Sequence, residues 1–94
     1  MRVRWTVPAV GQLQGIFRYV AEGNPEAAGR LVRRIRNAIQ PTARMPNAGR
    51  IGRVAGTREV VVPGTSYLVD YRVHDETLQV LAIQHRAQEW PKSF

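Results

Sequence analysis

The sequence predicts an α+β fold, a helical hairpin packed on one face of a mainly antiparallel four-stranded sheet, in the order β-α-α-β-β-β. Three observations carry this prediction. The first forty residues hold two apolar stripes at helical spacing, separated by Asn24-Pro25. The last forty hold β-branched or alternating segments punctuated by the turns Pro63-Gly64-Thr65-Ser66 and His74-Asp75-Glu76. The chain has 94 residues, 44% apolar and 22% charged, which suits one globular domain over residues 1–94 with a modest core.

Arg2 to Trp5 alternates polar and apolar residues and reads as a first strand. Thr6 is placed to cap a helix, with Pro8 in its first turn, where a missing N–H costs nothing. Ala9, Leu13, Ile16, Phe17 and Val20 then form one apolar stripe of a helix over about 7–22. Gly11 and Gly15 each weaken that helix by up to about 1 kcal/mol, so packing must support it. Glu22-Gly23 ends it.

Asn24-Pro25-Glu26 restarts a helix with a cap, a proline at the first position and an acid in the first turn. Ala28, Leu31, Val32, Ile35 and Ile39 make the second stripe, and Arg30, Arg33, Arg34 and Arg36 occupy much of the remaining surface. So short a connection between single-striped helices makes an antiparallel hairpin. Pro41 ends or kinks the second helix near Gln40.

Residues 41–56, rich in Pro and Gly and carrying Arg44, Arg50 and Arg53, read as a basic loop. Thr57 to Val62 reads as a strand. In the next strand Tyr67, Val69, Tyr71 and Val73 share one face, and Leu68, Asp70 and Arg72 the other. Thr77 to Ile83 is apolar on both faces and reads as a central strand covered on both sides. The sheet face away from the helices is then solvated, functional or covered by a partner. Leu78, Leu81 and Ile83 exposed there would make an adhesive patch.

The charge balance is 14 basic against 7 acidic residues, net +7, and all the basic residues but Lys92 are Arg. Such a domain favours polyanionic partners, whether nucleic acid, the ribosome or an acidic protein; ordinary solubilising charge is the plainer alternative. No apolar run approaches a membrane span. Charge at Arg2 and Arg4 stands where a signal peptide needs an apolar stretch, so a cytoplasmic protein with no membrane partner is expected. Without cysteine there is no disulfide framework, thiol nucleophile or Cys-based zinc site. His74 and His85 have no third ligand in view, so neither a metal nor another cofactor is expected.

His85 ends the last strand beside Arg86. It is either a general acid or base tuned by that neighbour, or a ring packed against the sheet. Arg58 and Glu59 are adjacent in a strand and point to opposite faces, so one of them approaches the core side or the sheet rim. Arg50, Arg53, Arg58, Arg72 and Arg86 either converge on one sheet edge to grip phosphate or lie scattered in solvent. Trp90 reads as a plug of the open core edge, with a partner anchor or base-stacking platform as the alternative.

Several segments together resemble RelE/ParE superfamily toxins. They are Leu13-x-x-Ile16-x-x-Tyr19, Asn24-Pro25-x-Ala27-Ala28, Ile35 and Ile39, then Pro46-x-x-Gly49-Arg50-x-x-Arg53-x-x-Gly56-Thr57-Arg58-Glu59. Pro63-Gly64-x-x-Tyr67, Tyr71-Arg72-Val73 and His85-x-Ala87-Gln88-x-Trp90-Pro91 complete the set. The resemblance runs from about Trp5 to Pro91. It implies the toxin of a type II toxin–antitoxin pair, neutralised by a small antitoxin that covers leftover apolar surface, here Leu78, Leu81 and Ile83.

Two targets occur in that superfamily. RelE-like members cleave mRNA on the ribosome; ParE-like members inhibit DNA gyrase. RelE-like enzymes carry an Arg where this chain has Leu68, and a Tyr where it has Trp90. RNA cleavage must activate a 2′-hydroxyl and stabilise a charged phosphorane. Here only His85, Arg86 and arginines such as Arg58 are left for that work. The resemblance therefore implies a ParE-like toxin, with the ribosome-dependent endonuclease as the alternative. Under the first, Arg50, Arg53, Arg58, Arg72, Arg86 and Trp90 are the candidate target-binding residues.

Overall fold

The computed structural model describes residues 1–86. The chain runs β1 (Arg2–Trp5), α1 (Val7–Gly23), α2 (Pro25–Ile39), a 3-10 turn at Gln40–Ala43, β2 (Arg50–Ile51), β3 (Arg58–Val61), β4 (Tyr67–His74) and β5 (Thr77–His85). Among the described residues the sheet has five strands, in the order β1-β5-β4-β3-β2. Of their pairings, only β1–β5 is parallel. The strand beyond the predicted four is β2, two residues of the basic loop that pair with Arg58 and Glu59. Its glycine neighbours hide so short a strand from any periodicity argument.

Both predicted helix caps form. Thr6 Oγ1 accepts from the Ala9 N–H at 3.4 Å, and Asn24 Oδ1 from the Ala27 N–H at 3.0 Å. Thr6 also ties the sheet to α1, because its N–H and hydroxyl both donate to the Val80 carbonyl, at 3.1 and 2.7 Å. That contact turns the chain out of the sheet at the end of β1. Among the described residues, the edge of β5 beyond Val80 then has no strand beside it. The Gln12 side chain caps this edge, accepting from the Ile83 N–H at 2.7 Å.

The core lies between the helical hairpin and one sheet face. It comprises Ala9, Leu13, Ile35, Ile39, Val62, Val69, Tyr71, Leu78, Val80 and Ile83. The even-numbered Leu78 and Val80 and the odd-numbered Ile83 share this face because the β4–β5 register slips by one at Asp70/Tyr71. The slip is a β-bulge at Leu81, and it reverses the inward phase of β5. The apolar run Val80 to Ile83 suits such a phase change, and β5 is paired on both sides, as a central strand, from Thr77 to Val80.

Two turns show how the backbone sets residue choice. Gly64, at φ 74°, closes the turn in which the Thr65 N–H donates to the Val62 carbonyl. The β4–β5 hairpin instead places Asp75 and Glu76 at φ 50° and 59°, where side chains are strained. Glu76→Gly is therefore expected to raise stability by about 0.5–1 kcal/mol. A thermal melt checks this: a rise of a few degrees agrees, and a fall disagrees.

Candidate functional site

His85 and Tyr67 are cross-strand partners at one end of the sheet. Their rings meet edge to face, with centroids 5.3 Å apart. With Gln12, Ile16 and Tyr19 of α1 they line an open groove of about 360 Å³. His85 is exposed, so its imidazole can reach a macromolecule that docks there. Arg86 is also exposed, and its N–H donates to the Ser66 carbonyl at 2.7 Å, closing the β4–β5 end.

Arg58 does not join them. It pairs with Tyr71, four residues along β4 from Tyr67 and two strands away from His85. The two backbones are therefore about 14 Å apart along the strands and about 10 Å across them, or about 17 Å in all. The Arg58 Nη1 donates to the carbonyls of Asn47 at 3.2 Å and Gly49 at 2.9 Å. The neighbouring Tyr71 hydroxyl donates to the Pro46 carbonyl at 2.7 Å and accepts from the Gly49 N–H at 3.1 Å. Burial raises the pKa of this phenol, against the pull of Gly49 and Arg58, so it remains a neutral donor. A Cβ on Gly49 would run into the Tyr71 ring. Arg58 and Tyr71 thus pin the loop at 46–49 from below, and Arg58 serves as an anchor there.

The opposite sheet face carries a second polar cluster. Glu59 on β3 and Asp70 on β4 stand directly opposite each other, both buried. Arg50 of β2 reaches Glu59 at 2.9 Å. One oxygen of each carboxylate, Glu59 Oε2 and Asp70 Oδ2, has no partner among the described residues. Burial first and then the Glu59 charge push Asp70 from 3.8 up to about 6, against a lowering hydrogen bond from Gln84. Of the adjacent Arg58 and Glu59, it is the carboxylate that is buried, held by Arg50.

The five sheet and loop arginines do not converge on one edge. Arg50 is tied to Glu59 and Arg58 to the loop carbonyls. Arg72 donates through Nε to Gln79 at 2.8 Å, near the far end of β4, and Arg53 is also engaged. Arg86 lies at the opposite end of the sheet, beside Tyr67. Nor do Leu78, Leu81 and Ile83 form an exposed patch. Leu78 and Ile83 face the helices within the core, and Leu81 at the bulge is 8% exposed. The bulge is the reason: it turns both flanking segments of β5 inward. Trp90 lies outside the described residues.

Exposed apolar side chains sit instead on α1, at Val7, Val10, Phe17 and Tyr19, and outside it at Met1, Met45, Ile51 and Val73. Phe17 belongs to the stripe expected to be buried, yet it is 39% exposed. It lines an open groove between the helices with Leu13, Val32, Arg18 and Arg36. Among the described residues no three of His, Asp and Glu group to hold a metal, and no helix is long and apolar enough to cross a membrane.

The helical hairpin over a sheet is a fold shared with chains of solved toxin–antitoxin systems. The chromosomal ParDE system of P. aeruginosa contains a chain that superposes with a TM-score of 0.81 and is 28% identical, over 90% of this chain and 95% of that one. The RelBE2 toxin–antitoxin complex of Mycobacterium tuberculosis gives 0.59 and 27%, over 90% and 96%. In sequence, the Y4kP protein of Sinorhizobium fredii, which carries a toxin designation, is 37% identical over 97% of this chain and 94% of its own. The toxin RelE2 of Caulobacter vibrioides is 32% identical over 93% and 97%. The family model for the ParE toxin of type II toxin–antitoxin systems, parDE, matches residues 3–90. The chain belongs to this ParE toxin family.

Proposed function

We propose that this toxin arrests growth by a ParE-like action on DNA gyrase and that a cognate antitoxin neutralises it. The observation that carries the reading is the register that sets Arg58 two strands and four residues away from His85, about 17 Å between backbones, with Arg58 bonded to loop carbonyls. Cleavage of RNA needs a base and a charge-stabilising group around one phosphate. Leu68, which stands where RelE-like enzymes carry an arginine, is 2% exposed and offers hydrocarbon. The exposed apolar residues of α1 suit a protein target or antitoxin. The alternative, a ribosome-dependent mRNA endonuclease, rests on the exposed imidazole of His85 and the neighbouring Arg86.

Induced expression without an antitoxin separates the two. The gyrase reading expects growth arrest with a DNA-damage response and no new mRNA ends, and His85→Ala keeps the arrest. Transcripts cut on ribosomes, with cutting abolished by His85→Ala, would establish the endonuclease instead.

A further inference from the structure

The arginines of the helical hairpin differ from those of the sheet. Arg30, Arg33, Arg34 and Arg36 on α2, and Arg18 on α1, are exposed, and none has an ion pair or hydrogen bond among the described residues. Between Glu26 and Glu59 the sequence has no acidic residue to balance them. Arg30 lies three and four residues from Arg33 and Arg34, and Arg33 three from Arg36. Like charges at those spacings are neighbours on a helix and destabilise it. Only Arg36, in the last turn of α2, is favoured by the helix dipole; Arg30, Arg33 and Arg34 have no ion-pair partner among the described residues.

We infer that the outer face of α2, centred on Arg30, Arg33 and Arg34 and flanked by Arg36, binds the phosphate backbone of duplex DNA. Charge complementarity is the first reason, because each unpaired guanidinium offers a planar fork that fits a phosphate. The makeup of the face disfavours other occupants. The apolar residues Ala28, Ile35 and Ile39 of α2 are buried, and the exposed Phe17 lies in the groove on the Arg18 and Arg36 side, so Arg30, Arg33 and Arg34 have no hydrophobic anchor among them for a protein. No residue of α2 is aromatic, so the face has no platform on which an unpaired base could stack. An exposed helix fits the roughly 12 Å major groove of B-DNA, whereas the narrow groove of duplex RNA does not admit one. This surface is separate from the His85 groove, and the inference does not depend on the gyrase reading.

The test is fluorescence anisotropy with a 20-base-pair DNA duplex of arbitrary sequence, over about 50–200 mM salt. The variant Arg30→Gln/Arg33→Gln/Arg34→Gln loses three charges but keeps good helix formers. The control Arg2→Gln/Arg4→Gln/Arg44→Gln loses the same charge from exposed sites elsewhere. Circular dichroism verifies that both fold. The α2 variant should bind at least about tenfold more weakly, with a log–log salt slope shallower by about 2–3, since each lost phosphate contact removes about 0.9. The control should move far less. Equal weakening by both variants would reduce the effect to net charge and overturn the proposal. So would polyglutamate or duplex RNA binding as tightly as the DNA. Because no gyrase is present, such a failure leaves the reading of the toxin's target untouched.

Discussion

Asp70→Asn should stabilise the protein by about 3 kcal/mol at pH 7.5, and the gain should vanish near pH 4. Asp70 is 2% exposed and faces the buried Glu59 across the β3–β4 ladder. Its folded pKa of about 6 lies above the ordinary 3.8. The folded state therefore holds this proton more tightly than the unfolded chain does. The resulting stabilisation is fully present below about pH 4 and is lost as pH rises through about 6. A rise from 3.8 to about 6 is worth about 3 kcal/mol. An Asn at this position carries no charge, and its amide can donate to the unpartnered Glu59 oxygen. Urea unfolding of both proteins from pH 4 to pH 8 checks the claim. A difference that opens as pH rises agrees with it. A constant difference, or a less stable Asn variant at pH 7.5, contradicts it.

Tyr71→Phe should cost about 1–3 kcal/mol, because the missing hydroxyl leaves the Pro46 carbonyl and Gly49 N–H without their partner. For a domain of this size the melting temperature falls by roughly 10 °C. The damage should concentrate at residues 46–49 of the basic loop, where Arg58 is then the remaining side-chain anchor. Trypsin should cut the variant faster at Arg44, Arg50 and Arg53, while the helical core stays protected. An unchanged melting temperature and cleavage pattern would show that the hydroxyl does not hold the loop.

The elements whose causes are local are legible in the sequence. Thr6 and Asn24 mark helix starts because a short polar side chain can bond an orphan N–H three residues on. The alternation of β4 places Tyr67, Val69 and Tyr71 on one face, as observed. Features that depend on distant partners are not legible. The bulge at Leu81 is invisible in an apolar run, so the apparent patch of Leu78, Leu81 and Ile83 is in fact core and bulge. The two residues of β2 pair only because β3 is alongside. Phe17 fits the helical stripe by spacing, yet the hairpin is too open at that point to enclose it. The fate of each arginine turns on whether an acceptor lies within reach, which spacing cannot tell. Arg50 and Arg58 have acceptors, while Arg30 and Arg33 have none among the described residues.

On the proposed reading the toxin acts by docking its surface on a protein that manages DNA topology. Supercoiling of relaxed plasmid by purified gyrase and ATP, with this protein titrated in, tests that most directly. Inhibition near equimolar protein, reversed by the cognate antitoxin, is the predicted result. Unimpaired supercoiling, with mRNA cut by the same preparation on translating ribosomes, would contradict it.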